Sequence, residues 1–428
     1  MTVKPRTSLP KRMDEALLRE ISEAYLLPFF SGASLETVAL ESTASEARVA
    51  TKTTQSIAFK VNRSDQYRLV VRRDQPFAAN SDPAREKRVV EAFVDVLEKM
   101  SDELKGPLKD DLLSTFQRRV VAEATAEPGE GANLLTVIDQ QAHWATRLYE
   151  GAPIASAIGI DPTIRGAKFL PLANIAKADF FAVLSNGFDT MLTLSKYLTF
   201  TGHVVLDATP SAGGYCPWRH SAIAAWTASG TDRIAVVLNR LGEILIFRDG
   251  QLLFARRGGN WHFLTHGPII RQMGVPKDED IRKAIYETAL DASFARTGAC
   301  IGVIAAGSMR LAQGMIAETD WLSKGLSDKA RVISRIVNGK KFHALDRTLR
   351  QELAAIDGAT VIDHEGNVVA VGAILRIKGG STSGGRSAAA KQLALLGMGI
   401  KVSQDGGIFG YRRDSKNPKV ERSAFEVM

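Results

Sequence analysis

Apolar positions near the start of the chain follow helical spacing, except over one alternating stretch. Met13, Leu17, Leu18, Ile21 and Tyr25 share a helix face, and the pattern stops near Pro28. From Arg48 to Arg73 the residues alternate and are rich in Val, Ile and Thr, which predicts a hairpin or short sheet. Ser81-Asp82-Pro83 sets a capping side chain before a proline, a helix start, and Val89, Phe93, Val96, Leu97 and Met100 continue one apolar face behind it. Leu108, Leu112, Phe116 and Val120 predict a further helix. Glu127-Pro128-Gly129-Glu130-Gly131 then breaks the periodicity and predicts a boundary, closing a smaller α+β domain over residues 1–130.

Beyond the break, strands and helices alternate across glycine-bearing turns, the rhythm of a mixed α/β sheet. Leu134 to Tyr149 reads as a helix with Val137, Trp144 and Leu148 on its inner face. Arg233 to Phe247 and Leu252 to Ala255 read as consecutive strands, with Arg248-Asp249-Gly250 as a hairpin turn. Asp280 to Arg296 predicts a helix with Ile285, Ala289 and Phe294 inward, and Leu345 to Ile356 a helix that delivers the chain to Asp357. Gly379 to Gly385 reads as a polar loop. The expected class is α/β, with one lobe over residues 131–275 and another over 276–428.

At 428 residues, 45% apolar and 24% charged, the chain exceeds one typical core and has a globular composition. No stretch approaches about eighteen uninterrupted apolar residues, and no apolar segment follows the basic Met1 to Arg12, so neither a membrane span nor a signal peptide is expected. Cys216 and Cys300 have no Cys-x-x-Cys partner, which fits a reducing cytoplasm and disfavours structural zinc. The net charge of +8 is uneven: residues 1–130 hold 20 Lys+Arg against 21 Asp+Glu, so the excess lies in the remainder. Such an excess can serve solubility or attract a polyanionic ligand. No basic run with interleaved aromatics points to nucleic acid, and Arg72-Arg73 and Arg118-Arg119 read as solvated pairs.

One stretch carries chemistry. Asp357-Gly358-Ala359 is followed by Thr382-Ser383-Gly384-Gly385-Arg386-Ser387-Ala388-Ala389 and by Val402-Ser403-Gln404-Asp405-Gly406. This series resembles the signature of the diadenylate cyclase (DAC) domain family: Asp-Gly-Ala, a glycine-rich turn opening into Arg-His-Arg-Ala-Ala on a helix, and a strand ending in Ser-Glu or Ser-Gln. The resemblance is specific over Asp357 to Tyr411, modest over Leu290 to Gly307 and architectural over Leu134 to Phe263. It implies a mixed-sheet DAC-like nucleotide-binding module that takes ATP or another adenine nucleotide with Mg²⁺ or Mn²⁺. The family's His-Arg pair reads Ser387-Ala388 here, so a cation is missing where charge builds on the triphosphate.

A glycine-rich turn opening a helix suits phosphate because backbone N–H groups can approach the anion and the helix start is partially positive. On the resemblance, Thr382, Ser383, Gly384, Gly385 and Arg386 take the phosphates, with Ser387, Gly358, Ala359 and Gln404 beside them, and Asp357 is the catalytic and metal-placing carboxylate near the ribose. Lys391, one turn after Ser387, could replace the missing cation. Alone, Asp-Gly is a common turn. Two functions stay open: a nucleotidyltransferase making cyclic di-AMP from ATP, and a DAC-derived sensor that binds a nucleotide without converting it.

A fainter copy of the arrangement lies upstream. Phe188-Asp189-Thr190 precedes Pro217-Trp218-Arg219-His220-Ser221-Ala222; thirty residues separate Asp189 from Arg219 and twenty-nine separate Asp357 from Arg386. If the copy is genuine, the chain is two tandem lobes, Arg219 and His220 join the nucleotide-binding candidates, and two nucleotides could meet in an internal pseudo-dimer or a homo-oligomer. Capping or packing is the plainer role for Arg219 and His220. His262 and His266 stand four apart with no third ligand evident.

Overall fold

The computed structural model describes residues 15–39, 47–61, 67–78, 86–105, 109–164, 170–207, 214–376, 384–417 and 419–428. Met13, Ser81-Asp82-Pro83, Leu108, Thr382, Ser383 and Gly379 to Ser381 lie outside them. The chain divides into two compact units, Met1–Gly214 with His220–Thr265, and Tyr215–Arg219 with His266–Met428.

The N-terminal unit opens with helix α1 (Glu15–Tyr25) and strands β1 (Ser34–Ala39), β2 (Val49–Thr53), β3 (Ser56–Phe59) and β4 (Tyr67–Arg72), which form an antiparallel sheet ordered β1-β4-β3-β2. Helices α2 (Glu86–Met100), α3 (Lys109–Thr125) and α4 (Gly131–Trp144) follow. The apolar face expected on α2 is buried, as are Phe116 and Val120 of α3. The helix expected to reach Tyr149 stops at Trp144. Leu148-Tyr149 (β5) pairs instead with Ala152-Pro153 (β6), leaving Leu148 exposed rather than inward.

A seven-stranded mixed sheet completes this unit. Its strands are β7 (Ser156–Asp161), β8 (Thr190–Ser195), β9 (Phe200–Val205), β10 (Ile234–Leu238), β11 (Ile244–Arg248), β12 (Gln251–Arg257) and β13 (Asn260–Phe263), with α5 (Leu172–Ile175) and α6 (Ser221–Ala228) in the connections. Asp249 and Gly250 both take positive φ, the turn that a two-residue loop between twisted strands requires. One hydrophobic core joins α1 and the small sheet to α2, α3, α4 and the large sheet; Phe29 meets Phe254 edge-on at 5.9 Å.

The C-terminal unit contains α7 (His266–Gln272), α8 (Glu279–Ala295), β14 (Ala299–Ile304), α9 (Met309–Met315), α10 (Asp328–Val337), α11 (Arg347–Ala355), β15 (Ala359–Asp363), β16 (Val368–Ala373), α12 (Gly385–Ala394), β17 (Gly397–Val402), β18 (Ile408–Arg413) and β19 (Glu421–Val427). Side chains cap its helices: Asp278 accepts from Asp280 N–H, Ser327 from Ala330 N–H and Asp346 from Thr348 N–H. Arg296 and Asn338 close α8 and α10 in the left-handed conformation.

The two large sheets repeat one topology. Read from one edge, the first runs β9-β8-β7-β10-β11-β12 before its extra β13, and the second β16-β15-β14-β17-β18-β19. In both, only the second and third strands are parallel. Register sharpens the match. Ile158 pairs with Leu192, three residues after Asp189, and Ile301 pairs with Thr360, three after Asp357. The next residues, Gly159 and Gly302, both lie under a helix: a Cβ would meet Trp226, seven after Arg219, or Leu393, seven after Arg386. The two large sheets thus share strand order, strand directions and the placing of a glycine beneath a helix.

Candidate functional site

The last sheet brings several of the sequence candidates to one end. Because β14 and β15 run parallel while β17 is antiparallel to β14, Gly298, Asp357-Gly358 and Ser403 flank the same ends of their strands. Arg386 belongs there too: a Cβ on Gly298 would fall 2.7 Å from its Nη1 atom, so the guanidinium lies across that turn. Gly298 itself has φ of 66°.

Small residues hold α12 close to the sheet. Gly302 and Gly399 are cross-strand partners beneath it, and a Cβ on Gly399 would come within 1.7 Å of the Ala390 carbonyl oxygen. Ala390 and Leu393 of the helix pack with Cys300 and Ile304 of β14 and with Ala359 and Val361 of β15. The intervening Thr360 points the other way and donates to the Leu353 carbonyl of α11 at 3.0 Å. Thus α12 covers one face and α11 the other.

At its start α12 has Gly384 at φ of 80° and no side-chain cap; the first bond of the helix is Ala388 N–H to the Gly384 carbonyl. The N–H groups of Gly385, Arg386 and Ser387 therefore have no acceptor within the helix. Ser387 is buried and Arg386 half-buried, and among the described residues Arg386 has no ion pair. Asp357 is exposed and likewise unpaired among the described residues. Its turn is tightly specified: Gly358 has φ of 104°, and a Cβ there would come within 2.5 Å of the Gly372 backbone. Lys329 anchors that neighbour, donating to the Gly372 carbonyl at 2.7 Å and pairing with buried Asp320 at 2.6 Å.

Other candidates are differently engaged. Lys391 lies 3.7 Å from Glu421 and over the Tyr411 ring, so its charge already has a carboxylate nearby. Gln404 is exposed in the turn after β17, where Gly406 N–H bonds the Ser403 carbonyl at 3.0 Å. Arg219 is exposed with its guanidinium over Trp218, and Trp218 is tied through Nε1 to Gln351 of α11, on the face opposite α12. His220 is buried, its Nδ1 is 2.9 Å from the Gly187 carbonyl, and its ring stacks on Phe188. At the counterpart of Asp357, the Asp189 carboxylate accepts from Asn186 at 2.5 Å.

Among the described residues no group of three or more His, Cys, Asp or Glu side chains could hold a metal ion, and no helix is long and apolar enough to cross a membrane. Burial pushes both thiols up to about 12, against the opposing charge of Arg386 at Cys300 and of Arg347 at Cys216. Both cysteines should therefore resist a disulfide-exchange reagent at pH 8 in the native chain and react fully in denaturant, as counted by released chromophore. Reaction of either thiol without unfolding would contradict that burial.

No protein-family model matches the chain, and no curated protein matches it significantly.

Proposed function

We propose that the C-terminal unit is a DAC-like nucleotide-binding module for ATP or a related adenine nucleotide, with triphosphate at Gly384, Gly385 and Arg386 and the ribose toward Asp357. The observation that carries this reading is the convergence, at one sheet end, of a guanidinium with no ion pair among the described residues, a helix start with no side-chain cap among them and the Asp357-Gly358 turn. Helix N–H donors and a forked guanidinium are complementary to phosphate oxygens. Asp357 could give one oxygen to a Mg²⁺ or Mn²⁺ ion arriving with the phosphates, since such ions are commonly held by one or two carboxylates plus phosphate. When bound, that ion would neutralise charge on the phosphoryl group undergoing transfer.

Binding without conversion is the reading we favour over cyclic di-AMP synthesis. Ala388 supplies no charge, and Lys391, the candidate replacement, is shared with Glu421. Calorimetric titration with ATP and Mg²⁺ should give a saturable isotherm with ATP recovered intact, and Arg386→Gln should weaken it at least about tenfold, the scale of one charged hydrogen-bonding group. Cyclic di-AMP accumulating with Mg²⁺ or Mn²⁺ would instead establish the enzymatic reading. No binding of ATP by the folded chain would remove both.

A further inference from the structure

A second, independent site is written into the N-terminal unit. It holds a cavity of about 210 Å³ whose walls include Tyr25, Gln117, Arg118, Arg256, Asn260 and Trp261. What sets the cavity apart is how its arginines are satisfied. Several arginines of this unit hold a carboxylate, Arg233 with Asp161, Arg248 with Glu127 and Asp232, Arg257 with Glu243 and Arg73 with Glu86, while Arg88 donates to the Ala124 and Ala126 carbonyls and Arg119 to the Thr115 hydroxyl. Arg256, adjacent to Arg257 on β12 but on the opposite face, is half-buried and has no ion pair or side-chain hydrogen bond among the described residues.

Facing it from α3, Arg118 commits Nη1 to Asp139 at 2.8 Å, while its buried Nε–H has no acceptor. Arg118 and Arg256 line the same cavity, and burial together with the Arg118 charge lowers the Arg256 pKa. Arg119 also acts on Asp139, so that carboxylate is shared by two cations. A fold gains nothing by setting a cation without a counterion beside a second cation and an unsatisfied donor; a bound anion resolves all three. Trp261 and Tyr25 add apolar surface next to the charges.

We propose that this cavity binds the phosphoryl group of a small phosphomonoester, with oxygens accepting from the Arg256 guanidinium and Arg118 Nε–H and the organic part against Tyr25 and Trp261. A planar fork facing a second N–H donor suits a tetrahedral dianion. The inference rests on residues of the N-terminal unit alone and does not depend on the reading of Arg386.

The test is calorimetric titration of the full chain, in buffer free of multivalent anions, with phenyl phosphate and with inorganic phosphate. Both should bind saturably, phenyl phosphate more tightly; Arg256→Gln should weaken both at least tenfold, and Arg19→Gln on the exposed face of α1 should leave both unchanged. Arg256→Gln also removes a like-charge contact, so without anion the variant should melt no lower than the native chain. Failure of either anion to saturate, or native affinity in Arg256→Gln, overturns the site. Binding of inorganic phosphate alone overturns the organic ligand, and a lower melting temperature without anion reassigns Arg256 to the fold.

Discussion

Gly399→Val is expected to leave the C-terminal unit unfolded or without its helix–sheet contact. Gly399 is buried beneath α12, and even a single Cβ would lie 1.7 Å from the Ala390 carbonyl oxygen and 2.6 Å from its carbon, both backbone atoms that cannot rotate aside. Relief requires lifting α12 off β14 and β17, which separates Ala390 and Leu393 from Cys300, Ile304, Ala359 and Val361. Overpacking costs roughly 1–3 kcal/mol where side chains can adjust, and here the obstacle is backbone, so a loss of about 4 kcal/mol or more is expected. Urea denaturation followed by circular dichroism should show the midpoint fall. Gly314→Ala on α9, where a Cβ meets nothing within 4 Å, is the control and should be neutral or slightly stabilising. A Gly399→Val chain as stable as that control would mean α12 does not sit on the sheet as described.

The glycine that makes this position critical is plain in the sequence, but what approaches it is not. Periodicity and turn chemistry are local, and what they govern was legible: the α1, α2 and α8 helices, the β11–β12 hairpin through Asp249-Gly250, and strand β15 after Asp357. The helix expected through Tyr149 was misread because Leu148 continues the apolar spacing, while the chain turns at Glu150-Gly151, both at positive φ, to make a two-residue hairpin. In the sequence the paired arrangement showed in similar Asp-to-Arg spacing. The equivalent positions of Gly159 and Gly302 beneath their helices need the strand register. At the candidate site the sequence supplied the residues but could not foresee that Lys391 would be met by Glu421 from β19. Arg118 and Arg256 were out of reach altogether, since a solvated pair and a strand residue become neighbours only when α3 packs beside β12 and β13. The one available signal was negative: Arg257 and Arg256 are consecutive on a strand and so must face opposite ways, and a single nearby acid, Glu243, can serve only one.

Glu86→Ala should destabilise the N-terminal unit by about 3–5 kcal/mol, the scale seen when one member of a buried ion pair is removed. Glu86 is fully buried at the start of α2, where a carboxylate also complements the helix dipole. One carboxylate oxygen accepts from Arg73 and from the Thr265 hydroxyl at 2.6 Å, and the other from Ala78 N–H at 2.8 Å. Without it, the Arg73 guanidinium keeps the Gln75 and Pro76 carbonyls and the Phe77 ring but loses its only close carboxylate partner among the described residues. Burial already lowers the Arg73 pKa, and the Glu86 charge is what opposes that shift; the variant therefore leaves a charge in low dielectric with its main compensation gone. If the loss arises this way, Arg73→Met combined with Glu86→Leu should recover much of it, because the two apolar side chains remove the stranded charge together with its partner. Chemical denaturation of the single variants and the double variant measures the coupling. A double variant no more stable than Glu86→Ala alone would shift the explanation from the uncompensated guanidinium to the lost acceptors of Thr265 and Ala78.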